Sequence, residues 1–258
     1  MNWELLDWSI VGPALVAGLL VLATHVPLGQ EVLKRGIIFI DLAIAQVAGL
    51  GVVAAYALGW DPSGLQVQLA AVSAALIAAA ALNWTEKRWP ATQEALIGIL
   101  FILAATGGLL LLTNNPHGGE HLKELLVGQI LWSTWASIAP IAVLYAAILA
   151  VWFLWREKIG ASGFYLTFAI AVTASVQIVG VYLVFASLII PALATFRWRR
   201  GRPLAASYGI GAAAYLIGIV FSAVLDLPTG AIIVWSLAMV SLVTGVATAQ
   251  RNGKVVTS

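Results

Sequence analysis

The sequence predicts an all-α protein, a polytopic transmembrane bundle of about eight to nine segments. Three observations predict it. Of 258 residues, 62% are hydrophobic and only 9% charged, more apolar surface than a water-soluble domain of this size hides beneath a polar exterior. Apolar stretches of about 20 residues, enough helix to cross roughly 30 Å of hydrocarbon, recur along the whole chain. Twelve of the thirteen Lys and Arg residues fall in clusters that an alternating helix path places on one side.

In chain order, the spans are expected at 8–23, 37–58, 65–82, 95–112, 130–155, 204–225 and 229–247. The stretch 163–196 is too long for a single crossing. Gln177 and Gly180 in its middle mark a turn, so it reads as two short segments that enter and return. Pro191, which cannot donate a backbone hydrogen bond, is expected to break or kink the second of them. At 226–230, Asp-Leu-Pro-Thr-Gly reads as a turn whose Asp or Thr caps the last span. No soluble domain interrupts this series, so 1–258 is read as a single transmembrane domain.

The positive clusters are Lys34 with Arg35, Lys87 with Arg88, Arg156 with Lys158, the group Arg197, Arg199, Arg200 and Arg202, and Arg251 with Lys254. If 163–196 crosses twice, all fall on the cytoplasmic side, with the N-terminus outside and the C-terminus inside. The other face is acidic: it carries Glu4, Asp7, Asp61, Glu120, Glu124 and Asp226, with Lys123 as its only Lys or Arg. The chain opens without a basic region or a convincing cleavage site, so the first span is expected to be retained. The basic clusters suit anionic lipid headgroups and call for no nucleic-acid partner.

Composition also excludes chemistry. Without cysteine there are neither disulfides nor thiolate ligands, which leaves His, carboxylates, amides and backbone oxygens for any ion. Neither a phosphate-cradling GxxxxGK[ST] loop nor a nucleophile elbow occurs. A membrane enzyme is disfavoured because no pair of titratable groups has catalytic spacing outside the candidates below. If transport consumes ATP, another chain binds the nucleotide.

Polar residues inside apolar spans are the candidate site. Asp41, early in the second span, is expensive there unless it faces a cavity or a partner. Gln46 lies five positions on, roughly 140° further around an ideal helix, and points to an adjoining face. The alternative for both is an interhelical hydrogen bond. His117, Glu120 and His121 share one face if their segment is helical, a spacing that can chelate a divalent cation; the flanking Asn114-Asn115-Pro116 and Gly118-Gly119 favour a solvated loop instead. His25, followed by Pro27 and Gly29, reads as a headgroup or backbone contact at the inner end of the first span.

At this point the chain resembles a known family, the permease subunits of zinc, manganese and iron ABC importers. Leu28-Gly29 with Val32-Leu33-Lys34-Arg35 and Asp41 is similar to the family's LG-x-x-VLRR stretch and the aspartate of its GD-x-x-x-H motif. Glu94 to Phe101 is similar to E-x-x-IGILF, and 126–131 to LFGNIL. Val179-Gly180-Val181-Tyr182-Leu183-Val184 with Leu188 to Ala192 resembles VGVLLV and LLIIPAA, and 226–231 resembles D-x-PTGA. The resemblance implies a homodimer in the bacterial inner membrane, working with a cytoplasmic ABC ATPase and an external metal-binding protein. It implies no permanently bound cofactor, the divalent metal ion being the cargo. Asp41 and Gln46 would lie on the ion path, and Gly180 and Pro191 would form its joints. Arg156, Glu157, Lys158 and Gly160 would meet the ATPase. Two features depart from the family pattern. Its histidine falls on Ala45 or, shifted by one, on Gln46, and the 156–163 connection is shorter than the coupling segment of relatives. A divergent relative uncoupled from an ATPase, acting as channel, carrier or accessory subunit, is the alternative.

Overall fold

A computed structural model describes residues 7–61, 64–113, 118–196, 198 and 202–256, and among these there are helices and turns but no strand. The helices are α1 (Trp8–Arg35), α2 (Ile40–Ala57), α3 (Leu65–Arg88), α4 (Gln93–Leu112), α5 (Gly118–Val127), α6 (Trp135–Thr195), α7 (Pro203–Leu225) and α8 (Thr229–Val256). Among the described residues, seven helical segments are long and apolar enough to cross a membrane, two of them within α6, and within α8 Thr229–Gly245 is a shorter apolar stretch.

Local chemistry sets several ends. Asp7 caps α1 by accepting from the Ser9 N–H at 3.0 Å, and Gly36, at φ +71°, closes it by donating to the Val32 carbonyl. Thr134 and Ser137 form a reciprocal capping box that starts α6. Pro203 opens α7, where its missing N–H costs nothing. Asp226 ends it at φ +54°, and the Ser222 hydroxyl meets both the Leu227 carbonyl and the Thr229 hydroxyl at 2.6 Å. This is the turn expected at 226–230.

The 61 residues of α6 form three arms, because Gly160 (φ 56°, ψ −158°) and Gly180 (φ 77°, ψ 162°) leave helical backbone geometry. The first arm (135–159) and the second (161–179) lie antiparallel: Trp152 meets Phe164, and Tyr145 donates to the Ala171 carbonyl at 3.1 Å. The third arm (181–195) turns back again, as contacts along α1 show. Phe164 lies under the Arg35 guanidinium, Ser175 has reached His25, and Leu188 has returned to Gly29. Had the chain run straight on through Gly180, Leu188 would sit well beyond His25 toward the start of α1. The two segments expected within 163–196 are therefore present, although the second arm also extends back to 161.

Three backbones meet at the second reversal. A Cβ on Gly180 would strike the Val127 carbonyl carbon and the backbone of Gly128, one on Gly128 would strike Val179 and Gly180, and one on Gly230 would strike the Val127 carbonyl oxygen. Gly128 is itself at φ +70°. The Gln129 N–H then donates to the Ile178 carbonyl at 3.3 Å. Only glycine permits backbones this close, so Gly128, Gly180 and Gly230 together form one joint.

Three expectations are corrected. Pro191 does not break its arm: the helix runs through it to Thr195, and the only non-helical angles in α6 are those of Gly160 and Gly180. Proline's fixed φ fits a helix, and here it costs one ladder bond near the end of a short arm. The segment around Glu120 and His121 is helix α5 rather than an irregular loop, and the span expected to start at 130 begins as a single 3-10 turn, Ile130–Trp132, ahead of α6.

Near the C-terminal end of α1, Arg35 meets Glu31 at 3.2 Å and Glu86 of α3 at 3.4 Å, and its guanidinium stands 4.5 Å over the Phe164 ring. Gln93 donates to the Leu82 carbonyl at 2.9 Å and the Tyr165 hydroxyl at 3.2 Å, and accepts from Thr85 at 2.8 Å. This polar belt ties α1, α3, α4 and the second arm together.

Two outcomes follow from the arms. Cysteines placed singly at Lys158 and Arg202 of this cysteine-free chain should react with an impermeant maleimide from one side of the membrane, and a cysteine at Asp226 from the other; labelling of 158 and 202 from opposite sides refutes the reversal at Gly180. Both Gly160 and Gly180 occupy a glycine-only region, where a side chain costs about 1–3 kcal/mol. Nothing lies within 4 Å of a Cβ at Gly160. Gly180→Ala should therefore lower the unfolding temperature in detergent clearly more than Gly160→Ala.

Candidate ion path

Asp41 is the second residue of α2 and is fully buried, and neither of its carboxylate oxygens has a hydrogen-bond partner. Unpaired buried charge is costly, and the α2 N-terminus offsets only part of that cost through its partial positive charge. The interhelical hydrogen bond considered for Asp41 is not formed. Nearby, Glu94 of α4 accepts from the Phe39 N–H at 3.2 Å, and its second oxygen is buried without a partner. Glu94 thus supplies the cap that the N-cap residue of α2, Phe39, lacks from its own side chain.

Ala45, where the family pattern has histidine, is fully buried on the same helix. Gln46 turns elsewhere: it lines a cavity of about 620 Å³ with Leu42, Phe101, Phe185 and Trp235, between α2, α4, the third arm and α8. Asp41 does not line that cavity. The two candidates on α2 therefore face different surroundings, as their spacing implies.

Two clefts open at the opposite end of α2. The larger, about 510 Å³, runs between α5, the 128–132 turn and the 226–230 turn, and carries Glu120, Lys123, Glu124 and Asp226. The smaller, about 320 Å³, lies between α2, α3, α5 and the second arm, and carries Tyr56, Gln68, Glu124, Gln129 and Gln177. Glu124 and Gln129 line both, and the Gln129 side-chain amide donates to Glu124 at 2.8 Å. Glu124 was passed over in the sequence because an acidic residue in an outer segment carries no periodic signal. Gln177 stood out only as a turn marker.

His117 lies outside the described residues, as do Arg197, Arg199 and Arg200, and the described positions of His121, Arg156 and Glu157 are backbone only. Glu120 stands in the first turn of α5 at the mouth of the larger cleft. Lys158 and Gly160 are exposed at the first reversal of α6. Among the described residues no three His, Cys, Asp or Glu side chains converge closely enough to hold a metal ion.

His25 is not a headgroup contact. It is fully buried, with Nδ1 2.9 Å from the Val21 carbonyl and 3.0 Å from the Thr24 hydroxyl, and Nε2 3.2 Å from Ser175. Ser175 in turn bonds the Tyr145 hydroxyl. The backbone contact expected of this histidine is present. What the sequence concealed is the chain from α1 through the second arm to the first, because its members are far apart along the chain.

Comparison with known proteins places these features. Residues 7–169 and 158–248 match the ABC 3 transport family. The chain is 27% identical over 254 residues to the manganese transport system membrane protein MntC of Halalkalibacterium halodurans, covering 90% of this chain and 85% of that one. It is 25% identical over 252 residues to an uncharacterized membrane protein of Synechocystis, covering 90% and 88%. Its fold is similar to a chain of PsaBC from Streptococcus pneumoniae, solved in complex with Fab, with a TM-score of 0.72 at 20% identity over 93% of this chain and 94% of that one. The segments that carried the resemblance in the sequence now share a structural role: 126–131, 179–184 and 226–231 meet at the Gly128–Gly180–Gly230 joint. With both matched regions together spanning nearly the whole chain, the protein belongs to the ABC 3 transport family, as a multi-pass transporter membrane subunit and not an enzyme.

Proposed function

We propose that this chain is the permease subunit of an ABC importer for divalent transition-metal ions, with Asp41 as the charged ligand of the ion path. The observation that carries this reading is the fully buried Asp41 carboxylate, neither oxygen of which is partnered within a member of a transport family. A carboxylate at such depth costs about 2.5–3.5 kcal/mol on insertion scales, and a cation shedding its water is the compensation that transport supplies. Manganese is favoured over zinc. The histidine position is Ala45, so the protein offers the path carboxylate and amide oxygens, donors that suit Mn²⁺ better than a site selecting Zn²⁺. The manganese transport relative supports the same choice.

The rest of the assembly follows from the family reading. The whole chain acts as one permease domain, in the bacterial inner membrane, with its N-terminus outside and its basic loops in the cytoplasm. It pairs with a second copy, a cytoplasmic ATPase and an external metal-binding protein. In this orientation the two clefts face outward and Asp41 lies near the inner end of α2, with Gln46 on the neighbouring cavity. Glu120, His117 and His121 receive the ion outside, the reversal at Gly180 serves as the joint, and Arg156, Glu157, Lys158 and Gly160 meet the ATPase. One observation favours the uncoupled alternative: the first arm of α6 passes into the second through a single glycine turn, with no separate helix between them.

Asp41→Asn keeps the shape and removes the charge. Manganese uptake by cells lacking their own importer should fall to background in this variant at unchanged membrane abundance, whereas uptake matching the wild type would return Asp41 to a structural role. Affinity capture of the tagged chain in mild detergent should bring down a nucleotide-binding subunit, and nanodiscs of that complex should hydrolyse ATP. Capture of the chain without such a subunit supports the uncoupled reading.

A further inference from the structure

Glu124 is the one charged side chain lining both outer clefts. In the larger cleft it stands with Glu120, Lys123 and Asp226 near the mouth. In the smaller it is the sole charge, facing the Tyr56 hydroxyl and the amides of Gln68, Gln129 and Gln177, while Val52, Val67, Leu125 and Val176 complete the walls. The polar residues lining the smaller cleft are one carboxylate, one phenol and three amides, with no imidazole or sulfur among them. Such a set suits a hard divalent cation that keeps part of its hydration shell.

The carboxylate is also mechanically placed. The Gly128 N–H donates to the Glu124 carbonyl at 2.8 Å, and the Gln129 side chain donates to the Glu124 carboxylate at 2.8 Å. The Gln129 backbone N–H bonds the Ile178 carbonyl, two residues before the Gly180 reversal. Glu124 is thus fixed to the three-glycine joint, at the partition between the clefts. Val52, which lines the smaller cleft, lies on the α2 that carries Asp41 near its other end.

We propose that Glu124 is a second charged ligand of the transported ion: it takes a partly hydrated divalent cation from the larger cleft and holds it in the smaller one, with Gln68 and Gln177 as neutral oxygen donors. The proposal rests on the reading of the chain as a metal permease, and deepens it by supplying a waiting position whose oxygen donors suit Mn²⁺. Because the partition belongs to the joint, movement of the third arm at Gly180 would shift the carboxylate between the two clefts.

Binding is measured on the full chain in lipid nanodiscs with Mn²⁺ alone, from the loss of the free-ion electron paramagnetic resonance signal. Wild type should bind saturably, and Glu124→Gln, which keeps the acceptor for Gln129, should bind about tenfold or more weakly. Gln68→Leu, on the opposite wall and away from the joint, should weaken binding by a smaller factor. Asp61→Asn removes one charge from the same end of the bundle without touching either cleft, and should bind as wild type. Absence of saturable binding by the wild-type chain, equal binding by Glu124→Gln, or an equal loss in Asp61→Asn overturns the proposal. Uptake assays separate this from the broader reading. A Glu124→Gln protein that imports manganese with wild-type half-saturation, beside an inactive Asp41→Asn, refutes the waiting position and leaves the permease standing.

Discussion

The architecture depends on a contact between bare backbones. At Gly128 and Gly180 the chain passes itself at a distance that no side chain tolerates, and Gly230 brings a third strand of backbone to the same point. In lipid, where burying apolar surface gives helices little reason to associate, close approach through small residues supplies packing that larger side chains would prevent. This contact fixes where the second arm of α6 ends and the third begins, and with it the side of the bundle from which α7 starts. It also sets the 128–132 turn beside both clefts. A break in helical backbone at membrane depth needs burial against protein, and the joint provides it.

Several buried polar groups pair across the packed helices. His25, Ser175 and Tyr145 link α1 to two arms of α6, Ser187 meets Tyr215 at 2.8 Å, and Thr195 meets Ser207 at 2.6 Å. Asp41 differs from them: both of its carboxylate oxygens are buried without a partner, whereas Asn83, Glu94 and Ser241 each leave one such atom. A buried group left unsatisfied costs far more than an ordinary hydrogen bond gains. Both oxygens of one carboxylate thus go unpaired at the N-terminal end of α2.

Much of this was legible in the sequence. Composition and span length give an all-α membrane bundle because lipid admits few other solutions, and the charge clusters give an even number of crossings between Arg156 and Arg202. Gly180 and Gln177 marked the reversal, and Asp41 stood out because a carboxylate in Ile-Asp-Leu-Ala-Ile has no other company. Pro191 misled, since a proline's effect depends on whether its neighbours continue the helix. Glu94, Glu124 and His25 were invisible as parts of a site. Their roles come from partners dozens of residues away: Phe39 for Glu94, the two clefts for Glu124, and Ser175 for His25. Local pattern does not report such pairings.

The central claim is that a transported ion completes the unsatisfied carboxylate of Asp41. Anomalous diffraction at the manganese edge, from crystals of the Mn²⁺-loaded transporter, tests it most directly. The account predicts a peak within coordination distance of an Asp41 carboxylate oxygen, with no nitrogen ligand from position 45. A well-occupied manganese elsewhere in the bundle, with Asp41 bonded only to protein groups, would contradict it.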